Sequence, residues 1–258
     1  MQTMTEDSFV SHLIELRDRL LKSLAAVLIV FFALTPWMKD IYELLAQPIL
    51  ALSGKGMIAT DVVSPFFSAM KATGAAAVVI ALPVVIYQVW AFIAPGLYRQ
   101  EKKVVFPLII SSYVLFLIGM AFAYFLVIPN VFKFMGHFSF SEVQHLPDIK
   151  SYLSFAFTMF FAFGLAFEVP VVVIVLVYAG VVSAEKLINA RPYVIVGAFV
   201  LSAVVTPPDA LSQIMLAVPM CILYEIGLFI AKRIKKPVAD EYAEENDQLA
   251  LPEKASEK

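Results

Sequence analysis

"SYLSFAFTMFFAFGLAFEVPVVVIVLVYAG", Ser151 to Gly180, is a thirty-residue stretch carrying one charge, Glu168. A helix needs about 20 apolar residues to cross a hydrocarbon core of about 30 Å. This stretch exceeds that and has no polar face, so it reads as a transmembrane helix. In lipid the backbone groups must be satisfied inside the segment or around a closed barrel. The ten-residue alternation of an outer-membrane barrel is missing from the chain. The fold class is therefore all-α and membrane-embedded.

Working outward, the same signal recurs. The chain is 61% hydrophobic and 16% charged, with a mean hydropathy of +0.85. Soluble domains run near half apolar and about a quarter charged. Six helices are expected, at about Leu20–Pro36, Phe67–Val89, Val104–Ile128, Tyr152–Tyr178, Tyr193–Val205 and Ala210–Ala231. Residues 1–232 form one polytopic domain in this reading, and residues 233–258 an acidic tail without hydrophobic periodicity, expected to be disordered.

Six crossings place both termini on one side, and positive charge chooses the side. With the termini cytoplasmic, twelve Lys and Arg residues flank cytoplasmic helix ends, from Arg17 to Lys236. Five fall opposite: Lys39, Lys55, Lys71, Lys133 and Lys150. The chain is expected N-in and C-in. Its fifth helix is confined by Pro192 and by "TPPD" at Thr206–Asp209, which leaves 13 residues, or about 20 Å at 1.5 Å per residue. Neighbouring protein must pad so short a span, or the bilayer must thin around it.

Several chemistries are excluded. The lone Cys221 permits no intramolecular disulfide. The acidic, amphipathic N-terminus does not read as a cleavable signal peptide. "SGKG" at Ser53–Gly56 lacks phosphate-loop spacing. His12, His137 and His145 are too scattered for a metal or haem. No nucleophile elbow is present, so neither an enzyme nor a cofactor is expected. No internal repeat suggests an inverted-repeat transporter.

The remaining chemistry lies in acids at unusual positions. In "SHLIELRDRLLKS", Leu13, Leu16 and Leu20 form an amphipathic stripe on a helix before the first span, with Ser11 as a candidate cap. Glu15 sits there near the membrane surface. It reads either as a solvated i,i+4 pair with Arg19 or as a binding acid. Glu101 ends the aromatic-rich loop "QVWAFIAPGLYRQEKK", among Arg99, Lys102 and Lys103. It reads either as an exposed local salt bridge or as the end of an interfacial ledge for an extended peptide. Glu168 lies deep in its span, where an acid costs about 2.5–3.5 kcal/mol on insertion scales. It is expected to face a partner or a polar concavity, with a kink at Pro170. Asp209, Gln213 and Glu225 are lesser polar positions.

"SHLIELRDRLL", "ATDVVSPFF", "YQVWAFIAPGLYRQEKK", "FGLAFEVP", "RPYVIVGAFV" and "TPPD", in this order over residues 8–232, resemble the TatC family. That family is the multispanning subunit of the bacterial twin-arginine protein translocase. The resemblance implies a concave bundle with short fifth and sixth helices, in the inner membrane. It implies a receptor for signal peptides with paired arginines, exporting folded proteins on the proton-motive force. It assigns signal-peptide binding to Glu15, Glu101, Phe92 and Pro95, and an intramembrane polar site to Glu168. Contacts with TatA-like and TatB-like single-span partners fall at Thr206, Asp209 and Gln213, and the periplasmic cap at Pro48, Ser64, Pro65 and Phe66. Ala203 is apolar where the family's polar cluster is expected.

The chemistry agrees. A guanidinium matches a carboxylate as a planar fork, whereas lysine is a point charge, so paired arginines suit two acids on one surface. A small-molecule transporter would require more polar residues in the second, third and fifth helices. A haem-bearing membrane anchor would require paired histidines. Six helices cannot enclose a folded protein, so partners are needed.

Overall fold

The computed structural model describes residues 3–53, 57–93, 102–136, 148–206 and 209–233. The acidic tail, Pro95, Glu101, His137, His145 and most of the Ser53–Gly56 turn lie outside the described residues. Among those described, every named element is helical.

Helix α1 runs unbroken over Thr3–Leu34. No Gly or Pro interrupts it, and Leu, Ala, Arg and Lys favour the helix throughout. The amphipathic segment and the first span are therefore one helix. Ser11 lies inside it, which corrects its expected role as a cap. A 3₁₀ turn at Thr35–Trp37 leads into α2, Met38–Ser53, which carries Pro48 in its interior. Helix α3 spans Ser64–Ile93 and begins three residues earlier than expected. Pro65 fits that start, because the first turn needs no backbone donor.

Helix α4, Lys102–Phe122, passes through a π-turn at Ala123–Val127 into α5, Ile128–Gly136. The thirty-residue stretch forms α6, Ile149–Phe167, and α7, Val169–Tyr178, with the expected break at Glu168. Pro170 has no N–H for the carbonyl four residues back, and the Glu168 N–H bonds instead to the Leu165 carbonyl at 3.1 Å. A short α8, Ala184–Asn189, precedes α9, Arg191–Val205, and α10, Ala210–Ala231.

Among the described residues, five helical stretches are long and apolar enough to cross a membrane: Ser11–Leu50, Ser64–Phe92, Phe106–Gly136, Ile149–Tyr178 and Ala210–Ala231. The remaining expected span corresponds to α9, whose 15 residues reach about 22 Å. Helix α10 has the expected bounds and 22 residues, about 33 Å, the shortest of these five stretches, and Pro219 sits inside it without ending it.

Helix α1 packs along α3, α3 meets α4 and α6, and α10 joins α6 and α7 to α9. Lipid supplies little hydrophobic drive between helices, so close approach rests on small residues. A Cβ on Gly119 would lie 2.5 Å from the Phe163 carbonyl oxygen, and one on Gly164 would lie 2.6 Å from the Phe116 ring. Gly227 likewise lets α10 approach Pro170. The larger core gathers Val127, Ile128, Val131, Tyr152, Met159 and Phe163. A smaller cluster, Val173, Tyr224, Leu228 and Ala231, joins α7 to α10. Leu20, Ile29, Phe32, Phe125 and Val204 point away from the protein, as lipid-facing side chains do.

Candidate functional site

The side-chain geometry at the N-terminal half of α1 follows from helical spacing. His12, Glu15 and Arg19 share one face at i, i+3 and i+7. Gln88 and Phe92 share a face of α3 at i and i+4. Because the two helices pack along each other, these faces meet. The His12 and Phe92 rings stack with centroids 4.4 Å apart and an interplanar angle of 17°. One turn on, Arg19 Nη2 and Nε donate to Glu15 Oε1 at 2.6 and 2.9 Å. Arg19 Nη1 also reaches Gln88 Oε1 at 3.4 Å. The second carboxylate oxygen, Oε2, has a looser contact, 3.9 Å to His12 Nδ1.

The structure thus joins two of the four residues expected to bind a signal peptide, Glu15 and Phe92, through His12. The i,i+4 pair with Arg19 is also formed, so the bland reading of Glu15 is correct as geometry. Its carboxylate remains 40% exposed, while Arg19 is 24% exposed. A half-open acid beside an aromatic ring can take a planar cation. Gln88 was missed in the sequence, and His12 was considered only as a metal ligand. Their helical spacing was visible, but the face of α3 turned toward α1 was not.

A second candidate lies inside the membrane. Glu168 sits at the α6–α7 break with its Oε1 buried and unpartnered. Ser112 of α4 faces it. The Ser112 Oγ is likewise buried without a hydrogen bond. The two face each other, and among the described residues neither atom completes a hydrogen bond, so the pair can also take a polar group from another helix. The sequence singled out Glu168 through its charge, whereas Ser112 carried no comparable signal.

The third group, Thr206, Asp209 and Gln213, comes together at the α9–α10 connection. Most of its polar atoms are spent locally, while Asp209 Oδ2 is buried without a partner among the described residues. Thr206 Oγ1 donates to the Ser202 carbonyl at 2.8 Å, and Gln213 Nε2 to the Phe199 carbonyl at 3.2 Å. Asp209 caps α10 by accepting from the Ser212 N–H at 2.7 Å. Thr206 is only 6% exposed, so these residues shape the edge of α9 and α10 more than they decorate it. Nearer the other end of the two helices, Arg191 Nη2 donates to Glu225 Oε2 at 2.6 Å.

The cap residues fall into two units. Ser64 is buried and donates through Oγ to the Asp61 carbonyl at 2.9 Å, while Pro65 and Phe66 lie exposed beside it. Pro48 lacks the N–H that the Leu44 carbonyl would accept in a regular helix. The Tyr124 hydroxyl, from the π-turn, donates to that carbonyl at 2.9 Å. Tyr152 Oη donates to the adjacent Leu45 carbonyl at 2.8 Å. Nearby, Ile58 and Asp148 form a parallel β-bridge. Asp148 accepts from the Ser151 N–H and Oγ and from Thr60 Oγ1. These bonds, led by the Ser151 N–H, hold the Asp148 carboxyl below its ordinary range.

No group of His, Cys, Asp and Glu among the described residues has the makings of a metal site. The family model described as Sec-independent protein translocase protein (TatC) matches residues 11–219. The relative with that description from Azotobacter chroococcum mcd 1 is 52% identical over 228 residues, covering 88% of this chain and 89% of the relative. The Escherichia coli (strain K12) relative is 49% identical over 225 residues, covering 86% and 87%. The Halothiobacillus neapolitanus relative is 50% identical over 226 residues, covering 87% of this chain. The chain spans only 62% of that last relative's length. A crystal structure described as the twin arginine translocase receptor TatC matches with a TM-score of 0.75 at 40% identity, covering 86% of this chain and 98% of the other.

Proposed function

The chain belongs to the TatC family of Sec-independent protein translocase proteins, and from that premise we propose that it is the receptor for twin-arginine signal peptides. As a translocase subunit it is a multi-pass membrane protein and not an enzyme. Glu15 and Phe92 receive the signal in this reading, with Pro95 and Glu101 completing the site from the loop that follows α3. The observation that carries it is the His12–Phe92 stack, which sets an aromatic surface beside a partly exposed carboxylate. A guanidinium can pair with the acid while its flanking residues lie on the rings.

The rest of the translocase reading follows the same lines. The protein lies in the inner membrane with six crossings and both termini cytoplasmic, as the charge asymmetry favours. TatA-like and TatB-like single-span subunits assemble along α9 and α10. There Tyr193, Val196, Val200 and Val204 offer an exposed apolar face, and the Thr206, Asp209 and Gln213 bonds hold its edge. Glu168 and Ser112 accept a polar group from an inserted helix. Pro48, Ser64, Pro65 and Phe66 belong to the periplasmic cap. The proton-motive force drives export, and copies of the chain associate within the complex.

The test is site-directed crosslinking to a twin-arginine precursor. Glu15→Gln and Glu101→Ala each weaken the crosslinks at unchanged protein abundance. Full crosslinking in both variants overturns the receptor reading. Copurification of single-span subunits, lost when Val200 and Val204 are changed to Asn, tests the partner face.

A further inference from the structure

We infer that Arg19 is a built-in competitor that occupies the Glu15 carboxylate until a signal guanidinium displaces it. The inference rests on the receptor reading of Glu15. Arg19 already places two N–H donors on Oε1, at 2.6 and 2.9 Å. An arginine of a signal peptide would bring the same donor fork to the same acceptor. Two guanidinium groups on one exposed carboxylate repel each other, which favours the release of one.

The surroundings suit an exchange. Among the described residues Oε2 has only the 3.9 Å contact with His12, which gives an incoming cation a first foothold. Arg19 leans through Nη1 toward Gln88 Oε1, at 3.4 Å. Once released from Glu15, the guanidinium has that amide oxygen as an acceptor and is not stranded. The acid is also N-terminal to the arginine at i,i+4, the better orientation for such a pair on a helix. The occupied state is therefore favoured, but only by the small margin of an exposed pair.

A competitor of this kind lowers the apparent affinity of every ligand that needs the open acid, by the fraction of time it is open. It sets a threshold without altering the ratio between ligands. A lone cation must replace two charge-assisted bonds to gain Glu15. A peptide that also holds a second acid or the aromatic ledge has binding free energy to spare for the displacement.

The experiment measures Kd for a fluorescein-labelled twin-arginine signal peptide, with a twin-lysine version alongside. The protein is the full chain in nanodiscs at fixed salt. Arg19→Gln tightens both peptides by the same factor, about two- to fivefold as expected for loss of an exposed pair. Arg19→Lys, which keeps the charge, tightens them by less. In a Glu15→Gln background neither change has any effect. Lys22→Gln removes the same charge three residues on, and an equal tightening there overturns the proposal in favour of general electrostatics. Unchanged or weaker binding in both Arg19 variants, with Glu15→Gln weakening binding, overturns the competitor while leaving the receptor reading intact. If Glu15→Gln leaves Kd unaltered, the receptor reading of Glu15 falls, and the competitor with it.

Discussion

Removing the Tyr124 hydroxyl tests whether Pro48 acts through the carbonyl it releases. Pro48 leaves Leu44 without its helical donor, and Tyr124 Oη fills the vacancy at 2.9 Å. Tyr124→Phe takes that donor away and supplies none. Hydrogen bonds between helices in membrane proteins average about 0.6 kcal/mol and reach about 1–2. An abandoned buried carbonyl costs about 1–3 kcal/mol. This carbonyl lies midway along α2, Met38–Ser53, beside an exposed Leu44 side chain, so the expected loss is at the low end, about 1 kcal/mol, a factor of about five in the folding equilibrium. In Pro48→Ala the N–H at position 48 returns and bonds Leu44 itself. Tyr124→Phe then costs close to nothing. The assay is reversible denaturation in mixed micelles, run as a double-mutant cycle. Equal cost of Tyr124→Phe in both backgrounds refutes the reasoning, whatever either substitution does to export.

Three further outcomes follow from the packing and the buried polar atoms. Glu168→Leu replaces an unpartnered acid by an apolar side chain, so thermal melting stays at or above the wild-type value, by as much as about 1–3 kcal/mol; export nevertheless fails, and a stable, fully active variant excludes a role for the carboxyl. Gly119→Ala forces a methyl to within 2.5 Å of the Phe163 backbone oxygen, which destabilises the α4–α6 contact by about 1–3 kcal/mol. Gly136→Ala meets nothing within 4 Å among the described residues and melts as the wild type does. The Asp148 carboxyl is held below its ordinary range in the folded protein, so its contribution is fully present above the unfolded value near about pH 3.9. That contribution is lost as the pH falls through the lower folded value. Protection of the Ile149 amide, bonded to the Ile58 carbonyl at 3.0 Å and read as its exchange relative to the intrinsic rate at each pH, holds from neutral pH to about 4 and falls below it. In Asp148→Asn this pH response disappears.

Much of the architecture was legible because lipid simplifies the rules. Apolar length marks the spans, and Pro170 marks the break at Glu168. Where reading along the chain went wrong, a local signal had lost to continuity. Ser11 has the chemistry of a cap, but nothing on either side of it stops a helix, so α1 simply runs through. For the candidate site, the acids announce themselves by charge. Their neighbours do not: Ser112 opposite Glu168 and Gln88 beside Arg19 are set by the rotation of one helix against another. Helical spacing gives the faces of each helix but not their relative phase. The inward use of Thr206, Asp209 and Gln213 was hidden for the same reason.

The unbroken course of α1 makes it a lever. From Thr3 to Leu34 it is a single rod of 32 residues, about 48 Å long. A bilayer core of about 30 Å can hold only part of it. Glu15 stands on the projecting arm, about 20 Å from the middle of the buried part. With no hinge between, a tilt of ten degrees in the span swings that carboxylate sideways by about 3–4 Å, more than the length of its bond to Arg19. Lipid thickness and a helix leaning on the apolar half of α1 therefore act at a distance on the acid, and through the shared His12–Phe92 contact on α3 as well.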